Sequence, residues 1–140
     1  MAKTKKTTVL GEVGKKIKPL ALIVEDNALL SNLFSRALHD IDYETMIISN
    51  GKKAMKWLMK REPDLLFLDL HLPEVSGEEI INTITDDRRF DGTYIVIITA
   101  DARMGGALQK KADFLLNKPV DIFQLQRLAE RLRFSRRVRK

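Results

Sequence analysis

Four apolar runs in this chain each end on, or just short of, a polar residue, and that pattern limits how it can fold. Residues 20–24 (Leu-Ala-Leu-Ile-Val) run into Glu25 and Asp26. Residues 65–68 (Leu-Leu-Phe-Leu) run into Asp69. Residues 94–98 end at Thr99, and 114–116 stop two residues before Lys118-Pro119. Continuous apolar runs of this length, without alternation, read as strands buried on both faces, the signature of a parallel sheet. In an open parallel sheet, ligands bind beyond the carboxyl ends of the strands. Glu25, Asp26, Asp69, Thr99 and Lys118 are therefore expected to meet at one edge of the sheet.

Helical patterns fill the spaces between the runs. The reading is strand 20–25, helix 28–39, strand 44–48, helix 52–60, strand 64–68, helix 77–85, strand 94–98, helix 102–111, strand 113–117 and helix 121–134. Five strands alternating with helices imply a doubly wound α/β sheet with right-handed crossovers. Asn27 and Asp121 are placed to cap the first and last helices. Leu29, Leu30, Leu33, Phe34, Ala37 and Leu38 make one apolar stripe, and Ala54, Met55, Leu58 and Met59 another. Leu125, Leu128, Ala129 and Leu132 are expected to face inward from the last helix. Met55, Trp57 and Met59 read as packing. Pro63 separates the second helix from the central strand.

Three carboxylates converging without an adjacent arginine raise one another's pKa and destabilise a fold, unless a cation intervenes. A hard cation with oxygen ligands suits such a cluster, and Mg²⁺ binds through a few carboxylates together with phosphate oxygens. Asp69, on the central strand, is placed to act as a nucleophile and form an aspartyl phosphate. Catalysis then requires alignment and charge neutralisation alone, with Lys118 and Thr99 available for the remaining phosphoryl oxygens.

The chain has 140 residues, enough for one domain with a real core. It has no cysteine, which excludes disulfides and thiolate chemistry and accords with a cytoplasmic location. No apolar run approaches the roughly 20 residues needed to span a bilayer. The net charge of +6 is unevenly placed. Residues 1–18 hold six lysines and one glutamate, residues 131–140 hold six bases and no acid, and residues 19–130 hold thirteen bases against eighteen acids. The basic character belongs to the two ends and the middle is acidic. We read a basic extension at 1–18, a domain at 19–133 and a basic tail at 134–140. The tails are solubilising termini, or else contacts for an anionic partner such as nucleic acid.

Four stretches carry a family resemblance: residues 22–27 (Leu-Ile-Val-Glu-Asp-Asn), 63–73 (Pro-Asp-Leu-Leu-Phe-Leu-Asp-Leu-His-Leu-Pro) with Gly77, 97–100 (Ile-Ile-Thr-Ala), and Lys118-Pro119. In this order and spacing, residues 19 to about 133 resemble the receiver domain of two-component response regulators. The resemblance implies a flavodoxin-like fold with strand order 2-1-3-4-5. It implies Asp69 as phosphoacceptor, with Mg²⁺ or Mn²⁺ held by Asp26 directly, Glu25 through water, Asp69 and the backbone carbonyl of His71. It also implies Thr99 and Lys118 as the phosphoryl-binding pair, a small Ala100 leaving access open, and a cis Lys118-Pro119 bond. The expected donor is a sensor histidine kinase or a histidine phosphotransfer protein. The only catalysis expected is the domain's own phosphorylation and dephosphorylation. Output is expected through a downstream protein, relay to a second histidine protein, or the tails.

Three positions depart from the family pattern. The switch position is Leu115, which has no ring to rotate, and Phe114 beside it should face the other way. The segment from Thr99 to Lys118 is short by about one helical turn. It also carries Gly105-Gly106, each costing a helix roughly 1 kcal/mol, so the fourth helix is expected to be short and mobile. His71 reads as an exposed loop residue, with a hydrogen bond to a phosphoryl oxygen or a water as the alternative. Two other readings compete with the signalling one. An aspartate-nucleophile phosphatase would carry a second acid where His71 stands. A phosphorylation-independent adaptor would act through the basic tails.

Overall fold

Short loops and strong local caps fix where each element begins. The computed structural model describes residues 17–135 and 137. Strand β1 (Leu20–Val24) leads into helix α1 (Ala28–His39), followed by β2 (Glu44–Ile48), α2 (Gly51–Leu58) and β3 (Leu65–Asp69). After these come α3 (Gly77–Thr85), a short 3₁₀ turn (Arg88–Phe90), β4 (Tyr94–Thr99) and α4 (Ala102–Leu108) with a further 3₁₀ turn. The last two elements are β5 (Phe114–Asn117) and α5 (Ile122–Arg133). Each α-helix opens on a side-chain cap, respectively Asn27, Asn50, Ser76, Asp101 and Asp121. Ser76 and Glu79 form a reciprocal capping box. An oxygen at each of these positions satisfies a backbone N–H that the first turn leaves orphaned.

The five strands pair in parallel in the order β2-β1-β3-β4-β5. This is the doubly wound, flavodoxin-like sheet, with helices on both faces. Alternation along each strand sorts its side chains into two cores. Ala21, Ile23, Leu65, Phe67, Val96, Ile98 and Leu116 pack with Phe34 and Leu38 of α1 and Leu125 and Ala129 of α5. Leu22, Val24, Leu66, Leu68, Ile95 and Ile97 pack with Ala54 and Leu58 of α2, Ile80, Ile81 and Ile84 of α3, and Leu108 of α4. Burying each large side chain contributes about 1.5–3 kcal/mol. Tyr43 joins the first core and donates its hydroxyl to Ala129 O at 2.7 Å. Burial pushes its pKa up, with a further push from the charge of Asp64.

The apolar stripe on α1 differs from the one expected. Leu29 is 71% exposed and Leu33 43%, while Ser31 and Ser35 are buried. Leu29 lies roughly 140° around the helix from Phe34, outside the buried arc. The serines enter it because their hydroxyls are satisfied. Ser31 Oγ donates to Ala28 O at 3.2 Å, and Ser35 Oγ lies 2.6 Å from Thr45 Oγ1. Met59 is also exposed, at 71%, because α2 ends at Leu58 and Met59 caps it. Trp57 is half-buried against the second core, under the Arg61 guanidinium 5.3 Å from its ring centroid.

At the amino-terminal edge of the sheet, Asp64 Oδ2 accepts Leu20 N–H at 2.8 Å and ties β3 to β1. Beyond α5, Arg137 Nε reaches Asp113 Oδ1 at 2.7 Å, and Ser135 Oγ lies 2.9 Å from Tyr94 OH. Part of the basic carboxyl-terminal segment therefore folds back onto β4 and β5. The basic run at 1–16, and residues 136 and 138–140, lie outside the described residues. Among those described, no helix is long and apolar enough to cross a membrane.

The two α1 positions make opposite predictions. Phe34→Ala should cost about 3–5 kcal/mol in urea unfolding, as expected for a large core truncation. Leu29→Ala should stay within about 0.5 kcal/mol of wild type, the range of a surface substitution.

Candidate functional site

Glu25 follows β1 directly, and Asp69 and Thr99 are the last residues of β3 and β4. Lys118 comes just after β5. The parallel register brings these ends level: Asp69 is paired with Ile98, one residue before Thr99, and Thr99 is paired with Asn117, one residue before Lys118. Carboxylate oxygens of Glu25, Asp26 and Asp69 lie within 4.8 Å of one another. The five polar residues picked from the strand ends thus share one edge of the sheet.

The site is held from beneath by backbone donors. Asn27 N–H donates to Glu25 Oε2 at 3.0 Å, and His71 N–H donates to Asp69 Oδ1 at 3.1 Å. Each donor comes from the loop two residues past the acid it orients. Lys118 Nζ lies 2.9 Å from Glu25 Oε1 and 3.3 Å from Asp69 Oδ2. Glu25 Oε1 is buried, with the Lys118 ammonium as its partner. Burial alone would lower the Lys118 pKa. The contact with Glu25 and the charge of Asp69 outweigh it, and the net displacement is upward. The backbone contributes as well, since Lys118 N–H donates to Thr99 O at 2.9 Å and the Lys118-Pro119 bond is cis.

Two packing contacts set the shape of the site. Gly77 opens α3 hard against the end of β3, where a Cβ would meet Asp69 O at 2.5 Å and Leu70 Cα at 2.7 Å. Thr99 is fully buried, and its Oγ1 accepts Asp101 N–H at 2.9 Å. Asp101 in turn caps α4 by accepting Met104 N–H at 3.0 Å.

Asp101 is the site residue that strand-end reasoning passed over. His71 Nε2 lies 3.4 Å from Asp101 Oδ2, so the loops after β3 and β4 are joined across the mouth of the site. The Asp101 carboxyl is held below the usual carboxylate range, first by the Met104 N–H and also by the nearby His71. His71 is exposed, as expected of a loop residue, but it has a partner. The available signal was the N-cap pattern, Asp before the fourth helical stretch. Leu115 lies away from the carboxylates, in the middle of β5. It faces the α4 side of the sheet, and Phe114 faces the α1 and α5 side.

The donor set suits a divalent cation. Three carboxylates supply hard oxygens, and one lysine offsets only part of their charge. The chain has the expected relatives. The response regulator receiver domain family matches residues 21–131. The polar-differentiation response regulator DivK of Brucella anthropi is 33% identical over 104 residues, 72% of this chain and 85% of that protein. The receiver domain of a LuxO repressor protein from Vibrio parahaemolyticus superposes with a TM-score of 0.75 at 27% identity, covering 83% of this chain and 90% of that one. The Mn²⁺-bound response regulator Rcp1 superposes at 0.69 with 25% identity, covering 81% and 91%. The chain belongs to the response regulator receiver domain family, and its acidic cluster is the divalent-cation site of a phospho-aspartate signalling switch.

Cation binding should therefore stabilise the fold. At 100 times its dissociation constant, Mg²⁺ should add about 2.7 kcal/mol in a urea titration, reversed by chelator. Asp26→Asn should remove most of that gain, whereas an equal gain in the variant would exclude Asp26 as a ligand. Gly77→Ala should destabilise the protein and weaken the Mg²⁺ response, because the added methyl presses on the Asp69 backbone.

Proposed function

We propose that Asp69 takes a phosphoryl group from a phosphohistidine on a sensor kinase or a histidine phosphotransfer protein. The supporting observation is the Lys118 ammonium between Glu25 and Asp69 at the carboxyl edge of the sheet. Asp26, Glu25, Asp69 and the His71 carbonyl are the residues that would hold the cation, the solved Mn²⁺-bound relative being the parallel. Once bound, the cation neutralises charge on the phosphoryl oxygens. The chain's own groups do the rest. His71 N–H holds Asp69 Oδ1, which leaves Oδ2 turned toward Lys118 and available as nucleophile. Lys118 supplies a fixed positive charge for a second phosphoryl oxygen, and exposed Ala100 beside Thr99 leaves the approach open.

Thr99 connects this chemistry to the surface. Its hydroxyl now accepts from Asp101, the cap of α4. A hydroxyl drawn to a phosphoryl oxygen would turn away from Asp101 and loosen the start of that short helix. Leu115 and Gly105 sit behind Thr99. A Cβ on Gly105 would lie 3.0 Å from Thr99 Cγ2 and 3.1 Å from Leu115 Cδ1. The Thr99–Asp101–α4 path thus supplies an output route without a rotating ring. The domain occupies residues 19–133, with basic segments on either side. A phosphatase reading is less well supported, because His71 stands where a second acid would be required and is paired with Asp101.

Acetyl phosphate with Mg²⁺ should add one phosphoryl mass to wild type, and none to Asp69→Asn or to a chelated sample, when intact masses are compared. An adduct on Asp69→Asn at the wild-type level would overturn the assignment. Thr99→Ala should still take up phosphoryl but lose the phosphorylation-dependent change in amide exchange across 101–108.

A further inference from the structure

Helix α2 and strand β2 form a surface that the phosphoryl site does not use. From 51 to 61 the sequence holds Lys52, Lys53, Lys56, Lys60 and Arg61 with no acid, while the rest of 19–130 holds eight bases against eighteen acids. Five of the thirteen bases in 19–130 are gathered here. Lys53, Lys56 and Lys60 recur at helical spacing along α2 and the turn after it. They line a groove of about 500 Å³ with Ile47, Ile48 and Trp57.

The groove runs beside a sheet edge. Among the described residues, β2 pairs with β1 alone. Glu44 N–H donates to Pro19 O, and Ile48 O accepts from Glu25 N–H, so residues 44, 46 and 48 turn their backbone toward β1. The parallel pattern then directs the N–H and C=O of Thr45 and Ile47 outward. An edge with outward donors and acceptors, an apolar floor and flanking lysines has the parts of a strand-addition site.

We propose that this groove docks an extended acidic segment of a partner protein. The segment lies along β2, its carboxylates on the α2 face paired with Lys53, Lys56 and Lys60, and its alternate apolar side chains on the opposite face beside Ile47. Charge favours a peptide over nucleic acid. The lysines span only about 10 Å of helix, and Asp40, Asp42 and Glu44, all exposed, precede and open β2. A phosphate backbone carries a charge at every step and would run into those acids, whereas a peptide can place uncharged residues opposite them.

The test is selection of a random dodecapeptide phage library on the full chain and on K53E/K56E/K60E. The selected peptide is then measured by fluorescence anisotropy beside a twelve-residue oligothymidylate. Wild type should enrich peptides alternating Asp or Glu with apolar residues. The triple variant should bind the selected peptide about tenfold or more weakly, as three exposed charge pairs would give. N-methylation of alternate peptide amides should abolish binding while leaving the charges in place. Urea unfolding of the triple variant with a cooperative transition near the wild-type midpoint shows that it is folded, so the test stands whether or not the protein takes up phosphoryl. Equal enrichment on both proteins, undiminished binding of the N-methylated peptide, or tighter binding of the oligothymidylate would overturn the proposal.

Discussion

A parallel sheet must be covered on both faces, because its inner strands are apolar on both sides. In this chain that requirement determines the rest. It forces a helix between each pair of strands, and right-handed crossovers place α1 and α5 on one face and α2, α3 and α4 on the other. It also sends every strand in the same direction, so the turn from strand to helix occurs at the same edge five times. Polar residues that cannot enter the core collect there, each beside a helix cap. The site follows from the way the core is built.

What makes the edge a site is an electrostatic problem that the fold leaves half solved. Glu25 and Asp69 are buried carboxylates, and Lys118 is the ammonium between them. Removing charges from water is costly unless they are paired. Asp26 stands beside them, exposed. One lysine cannot balance three acids, so the arrangement is suited to take up further positive charge. The same arrangement attracts a metal ion and receives a phosphoryl group. Backbone donors from Asn27 and His71 keep the carboxylates from turning away.

Much of this was legible before the structure, for reasons specific to particular residues. The apolar runs are so uniform that periodicity identified the strands within a residue or so, and the caps Asn27 and Asp121 marked helix starts. Position at strand ends singled out Asp69, Thr99 and Lys118. The errors have a physical cause as well. Leu29 and Leu33 fall in the expected apolar stripe because helical spacing gives its width only coarsely, and nothing in the sequence marks Ser31 and Ser35 as buried, because their hydrogen bonds to Ala28 O and Thr45 form only in the fold. Asp101 was passed over because its importance comes from a neighbour, His71, thirty residues earlier.

The sequence by itself determined the class of fold, the parallel direction of its strands and the chemical nature of the site. These follow from local patterns: apolar runs, caps, and polar residues at fixed offsets from them. Tertiary structure alone decided which carboxylate oxygen meets the lysine, that Gly77 abuts the Asp69 backbone, and that Thr99 is linked through Asp101 to α4. It also decided that, among the described residues, β2 pairs on one side only and lies beside a row of lysines. These are contacts between segments remote in sequence, and they depend on distances of a few ångströms that no pattern of residue types encodes.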